Sequence, residues 1–123
     1  HVIVRAYDDP EGITKSFNLN LLNRINQELG GHFDPMKFDF YCSYPPETGE
    51  VRSYIVSKTD QKVRIDSLDF EAEFKQWEMI HTEISRKFRL DQMPALANDN
   101  GFEFISNSLD CKHYFVNSYW KAK

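Results

Sequence analysis

No stretch of this sequence stays apolar for more than a few residues, far short of the roughly 20 that cross a bilayer as a helix. A membrane span is therefore not expected. Basic residues are also in the minority: 15 Lys and Arg face 19 Asp and Glu, giving a net charge of -4. No Lys/Arg stripe is present to displace counterions from a phosphate backbone, which excludes DNA and RNA as expected partners. Cys42 and Cys111 are the only cysteines, and with His1, His32, His81 and His113 they match no metal-ligand or redox spacing. The expectation is buried or partly buried free thiols and no metal site. Also missing are a glycine-rich loop after a strand, GxSxG, a phosphate loop and HExxH, so the chain is not expected to catalyse a reaction alone. The opening His1-Val2-Ile3-Val4-Arg5 lacks the charged-then-apolar layout of a signal peptide, which predicts a soluble, cytoplasmic protein. It also lacks an initiating Met, which suggests a piece of something longer.

What the sequence does have is apolar surface. In 123 residues, 41% are hydrophobic and 15% aromatic, ample for one core and one compact unit. Val2 to Tyr7 suits a short strand, followed by turn formers from Asp8 to Gly12. From about Thr14 the residues Phe17, Leu21, Leu22, Ile25 and Leu29 fall on one stripe at helical spacing, and Gly30-Gly31 supplies a stop. Asp34-Pro35 can cap and start one more helical turn.

Strands dominate the middle. Phe38, Phe40, Cys42 and Tyr44 alternate with polar or amphipathic neighbours, then Pro45 to Gly49 turns the chain into Val51–Val56. A turn at Lys58 to Asp60 leads to Val63-Arg64-Ile65. Leu68, Phe70, Ala72 and Phe74 then alternate with charged residues, predicting one buried and one wet face. Met79 to Phe88 completes an antiparallel meander. In the tail, Asp91 is the expected N-cap of a short helix through Ala97, with Pro94 in its first turn. Phe102–Ile105 and His113–Trp120 can pair around Ser108-Leu109-Asp110. Strand and helix runs kept separate in this way predict an α+β fold.

Three sets of residues are candidates for chemistry. On an ideal strand, Glu83 and Ser85 share a face with His81 and Lys87, opposite Ile80, Thr82, Ile84, Arg86 and Phe88. A carboxylate beside a hydroxyl can bind an imidazole or amide, although the same pattern fits a solvated strand face. Tyr7, at a strand-to-loop junction before Asp8 and Asp9, can hold a ligand carboxylate or simply pack as an amphipathic residue. Asn18 and Asn20 are poor helix formers, and the simpler reading is that they cap the helix start or tie down the preceding loop.

The run from Ala6-Tyr7-Asp8-Asp9 through Gly12-Ile13-Thr14, Phe17-Asn18-Leu19-Asn20, Leu22 and Asn26 resembles the AYDDxxGVTxxFNxNxLxxxN signature of histidine-specific methyltransferases of the ergothioneine type. Glu78 to Phe88 is similar to the family's GExIxTExSxKF stretch, with Trp77 where glycine is usual. The resemblance covers essentially the whole chain, through Gly101-Phe102 and the final strands. It implies a substrate domain at residues 1–88, an antiparallel sheet packed on one long helix. Residues 89–123 would then be the returning helix and strand pair of a Rossmann-like methyltransferase sheet. S-adenosylmethionine would be bound mainly by an absent N-terminal half, and the fragment would be inactive alone.

Carried over residue by residue, the resemblance implies that Tyr7 contacts the carboxylate of an amino-acid substrate and that Glu83 and Ser85 recognise the imidazole side. Ser53 falls where a methionine often lines the side-chain pocket, which leaves open histidine or a related amino acid as the substrate. Two readings of other kinds stay beside this one. They are a non-catalytic α+β small-ligand module and a dimerisation module self-associating through the C-terminal strands.

Overall fold

The computed structural model describes residues 2–123. It divides into two compact units, residues 1–86 and 87–123, rather than the single unit that composition suggests. Both combine helix with antiparallel strands, so the chain is α+β.

The first unit opens with helix α1 (Val2–Tyr7), where the sequence predicts a strand. β-branched residues favour strands only weakly, and context decides. Here Ile3, Val4 and Tyr7 are the partly buried positions, a helical rather than alternating spacing. The turn closes with Asp8 N–H donating to Val4 O at 2.8 Å. Helix α2 (Ile13–Leu29) follows as predicted and stops where Gly30 adopts a left-handed φ of 62°. Its buried side differs from the expected stripe. Asn18 and Leu22 are buried, with Leu19 and Ile25 packing on the core, while Phe17 and Leu21 are exposed. The buried stripe is rotated by about one residue.

After a 3-10 turn at Pro35–Lys37, capped by Asp34 as expected, come β1 (Phe38–Ser43) and β2 (Glu50–Ser57). The expected meander does not form. Strands β3 (Gln61–Ile65) and β4 (Phe70–Phe74) make a separate two-stranded sheet, and β5 (Met79–Arg86) returns to pair with β2, giving the order β1-β2-β5. Leu22, Phe33, Phe38, Ile55, Val63 and Ile65 form one core that joins α2 to both sheets. That shared core favours the excursion, because β3 and β4 can bury Val63, Ile65 and Phe74 against α2 and the rings of Phe33 and Phe38 without occupying β2's free edge. The apolar face expected on β4 is covered only towards Phe74. Leu68 and Phe70 are 58% and 53% exposed.

Trp77, standing where the resemblance expects glycine, has a φ of 69°. A left-handed backbone costs an L-residue about 1 kcal/mol or more, whereas glycine enters it freely. The indole is 66% exposed and gives little burial in return. Trp77→Gly should therefore stabilise the protein by about 1 kcal/mol. Chemical denaturation would show a higher midpoint at an unchanged slope; a lower midpoint would mean that indole packing outweighs the strain.

The second unit holds α3 (Met93–Asp99) and the antiparallel hairpin β6 (Phe102–Leu109) and β7 (Val116–Ala122). Asp91 does not cap the helix. Its carboxylate pairs with Arg89 at 2.7 Å, and the start of the turn is closed by Arg89 N–H donating to Gln92 Oε1. β6 runs longer than expected, β7 starts and ends later, and the turn moves to residues 110–115, where the Asp110 carboxylate accepts the amides of Lys112, Tyr114 and Phe115. Cys111 is exposed in that turn, not buried, while Cys42 is partly buried. Among the described residues no helix is long and apolar enough to cross a membrane.

Candidate functional site

The site begins with the register of the three-stranded sheet. Cys42 pairs with Ser53, Ser53 with Glu83, and Val51 with Ser85. Side chains opposite one another share a face. Phe38, Val51, Ile55 and Ser57 alternate with Ser53's neighbours on the buried side of the sheet, so Cys42, Ser53 and Glu83 form a row across three strands on that side, with Ser85 two residues along β5.

His81 is not on this face. Ser53 and Tyr54 are consecutive, yet their partners are Glu83 and His81, which leaves Thr82 as an extra residue in a β-bulge. The bulge breaks the period of two on which the sequence reading depends. It turns His81 to the opposite face, where its ring lies 5.1 Å from that of Tyr54, and it leaves Ile80 and Thr82 on the helix side. Lys87 lies beyond β5, in the second unit.

Tyr7 reaches the row from the end of α1. Its hydroxyl and that of Ser85 are 2.7 Å apart, a contact between residues 78 positions apart in sequence. Ser53, opposite Glu83 in this row, is buried at 2% exposure. Glu83 is exposed and opens into a cleft of about 290 Å³ lined by Phe17, Asn18, Asn20, Leu21, Arg24 and Thr82. Phe17 and Leu21, two apolar side chains of α2 that do not join the core, thus form one wall of this cleft. The fold therefore brings together all four residues singled out from sequence: Tyr7, Ser53, Glu83 and Ser85. Its chemistry is one carboxylate and three hydroxyls, with the carboxylate opening into the apolar and amide-lined cleft, suited to a small polar ligand bearing hydrogen-bond donors.

Other signature residues build the scaffold. Asp9, not an asparagine, caps α2: its two carboxylate oxygens accept the amides of Ile13 at 2.7 Å and Thr14 at 2.9 Å. These bonds with Thr14 and Ile13 hold its pKa at about 2, down from 3.8. Asn18 is 5% exposed and points into the sheet rather than back to the loop. Asn26 fixes the turn after α2, donating to Phe33 O and accepting from Phe33 N–H. Asp8, missed as a neighbour of the site, acts on Cys42. Burial and then the Asp8 charge push that thiol's pKa up.

The Asp9 cap gives a pH-dependent expectation. A carboxylate whose pKa is lowered by folding contributes stability that is complete above its unfolded value and lost as pH falls towards the folded one. Asp9→Ala should lower the melting temperature at neutral pH. The gap between unaltered and variant proteins should stay constant above about pH 5 and close between pH 3.8 and about 2. A gap that does not vary across that range would mean the cap acts without its charge.

Comparison with known proteins adds the following. The sequence profile of a family described as histidine-specific methyltransferase, SAM-dependent, matches residues 1–122. The chain is 37% identical over 99 residues to a histidine N-alpha-methyltransferase of Mycolicibacterium smegmatis, covering 80% of this chain and 31% of the relative. It is 38% identical over 87 residues to that of Mycobacterium tuberculosis, covering 71% and 27%. Ergothioneine biosynthesis protein 1 of Schizosaccharomyces pombe is 28% identical over 102 residues, covering 82% and 13%. The chain thus spans a third or less of the length of the curated relatives it matches.

Proposed function

Because this chain belongs to the histidine-specific, SAM-dependent methyltransferase family, we propose that it is the substrate-recognising part of an enzyme that methylates the alpha-amine of histidine or a related amino acid. The observation that carries this reading is the convergence of Tyr7 and Ser85, 2.7 Å apart, on the same sheet face as Glu83. Tyr7 takes the substrate carboxylate, and Glu83 with Ser85 takes the side chain. Ser53 lies at the floor of the side-chain pocket and, as a small residue, leaves room there.

The described residues do not fit S-adenosylmethionine. The glycines with positive φ close a helix, precede one or sit in tight turns, and none opens a strand-to-helix phosphate-type cradle. Holding the cofactor is assigned to the rest of the protein. What this chain does is bind and orient: an amine accepts a methyl group only when neutral and in line, and fixing both ends of the amino acid sets that approach. Residues 89–123 are assigned to a Rossmann-like methyltransferase sheet. The exposed Ile105, Tyr114, Phe115 and Tyr119 of the second unit support further strand pairing there, or with another copy in the isolated chain.

A mass-spectrometric methyl-transfer assay on the full-length protein, with S-adenosylmethionine and a panel of free amino acids, tests the proposal. Methylated histidine is the expected product. Methylation of another amino acid would keep the reaction and point to Ser53 as the source of the change. Neither methylation nor cofactor binding would sink it in favour of a ligand-binding module.

A further inference from the structure

Glu83 and Ser85 face α2 only because the strand carries one extra residue before them. A slip of one residue in a strand moves every side chain beyond it to the other face. Without the bulge at Thr82, a register continued from Ile80 and His81 would turn Glu83 and Ser85 away from Tyr7 and Ser53. Something must hold the extra residue, and the structure contains a specific lock. The Thr82 hydroxyl lies 2.9 Å from Asn18 Oδ1 and 3.1 Å from the Ser53 carbonyl oxygen. Both are acceptors, so its single proton is shared between them.

The orientation of Asn18 is fixed in turn. Its Nδ2 donates to the Thr14 carbonyl at 3.0 Å, so Oδ1 must face Thr82. Thr14 itself is held by the Asp9 cap. A continuous chain of bonds thus runs from the Asp9 turn through the first turns of α2 to the bulge of β5 and the backbone of β2.

We infer that Asn18 and Thr82 are positioning residues for the substrate site: their bond holds the bulge that aims Glu83 and Ser85 at the ligand. This rests on the proposed function, since it takes Glu83 as a substrate contact. Bulges are a recurrent means of re-aiming side chains beside active sites.

The test uses the full-length protein, with L-histidine and S-adenosylmethionine as separate calorimetric probes. Thr82→Val keeps the shape and removes the shared proton; Thr82→Ser keeps the proton. Thr82→Val should weaken histidine binding about tenfold or more, as loss of a buried hydrogen bond that fixes a ligand contact implies. It should change cofactor affinity by less than about twofold, and Thr82→Ser should restore binding to within about threefold. Combined with Glu83→Ala, Thr82→Val should add less than it does alone, because only its effect through Ser85 is left once the carboxylate is gone. Should Thr82→Val fail to fold, Asn18→Ala removes the same bond from the helix side and is read in the same way. Histidine binding unaffected by Thr82→Val but weakened by Glu83→Ala would overturn the positioning role and leave the function standing. Effects that multiply in the double variant would also overturn it. Glu83→Ala with unchanged histidine binding would remove both readings.

Discussion

Replacing Glu83 by Ala should raise the substrate KM of the full-length enzyme roughly 10- to 100-fold, the effect of losing a hydrogen bond to a charged group at a ligand. Affinity for S-adenosylmethionine should change little. The reason lies in the geometry: Glu83 stands opposite Ser53 and opens into the cleft beside α2, while among the described residues no glycine with positive φ opens a strand-to-helix cradle. Steady-state kinetics with separate cofactor titration checks this. A parallel loss of cofactor affinity would contradict the assignment, because it would place the carboxylate at the cofactor or make it a support for the whole fold. Glu83→Gln separates charge from shape: if the carboxylate accepts a donor from an imidazole, the amide should recover part of the loss.

Several local signals in the sequence match the structure, although the Asp91 cap, equally local, gives way to a pair with Arg89. The stop of α2 at Gly30 and the Asp34 cap each depend on residues within one turn of the feature, and β6 pairs with its sequence neighbour β7. Non-local packing decided the rest. The segment Val2–Tyr7 is rich in β-branched residues, and it is helical with Ile3, Val4 and Tyr7 as its partly buried positions. The β3–β4 excursion follows from a core that α2 shares with both sheets, a fact no hairpin signal carries. The bulge at Thr82 was the most consequential gap. Strict alternation put Thr82 opposite Glu83 and His81 beside it, and the structure reverses both. No sequence signal marked it: Ile80 and Ile84 are both apolar and would share one side of an uninterrupted strand, yet only Ile80 packs on the core. The proximity of Glu83 to Ser85, by contrast, survives because both lie on the same side of the bulge. Much of the long signature at residues 6–26 proves to be scaffold, with Asp9, Asn18 and Asn26 making bonds that shape the site and Tyr7 reaching into it.

The second large effect is expected at Tyr7. Its hydroxyl and that of Ser85 form one polar point, so Tyr7→Phe and Ser85→Ala should each lower kcat/KM by roughly 10-fold or more. The double variant should be little worse than the poorer single one, since groups that share a bond do not contribute additively. Identity of the bound end can be read from substrate analogues. If Tyr7 holds the carboxylate, the unaltered enzyme should prefer histidine over its neutral amide, and Tyr7→Phe should shrink that preference while Ser85→Ala leaves it larger. A preference that Tyr7→Phe does not change would mean that the hydroxyl serves to fix α1 to the sheet rather than to meet the substrate. Its proximity to Ser85 would then be a packing contact, and Glu83 would carry recognition without it. Because the two hydroxyls sit 2.7 Å apart, a ligand that engages both must bring its carboxylate and side chain close together. On the proposed function, a folded-back amino acid would do this, leaving its amine on the outside of the bend for the methyl donor to reach.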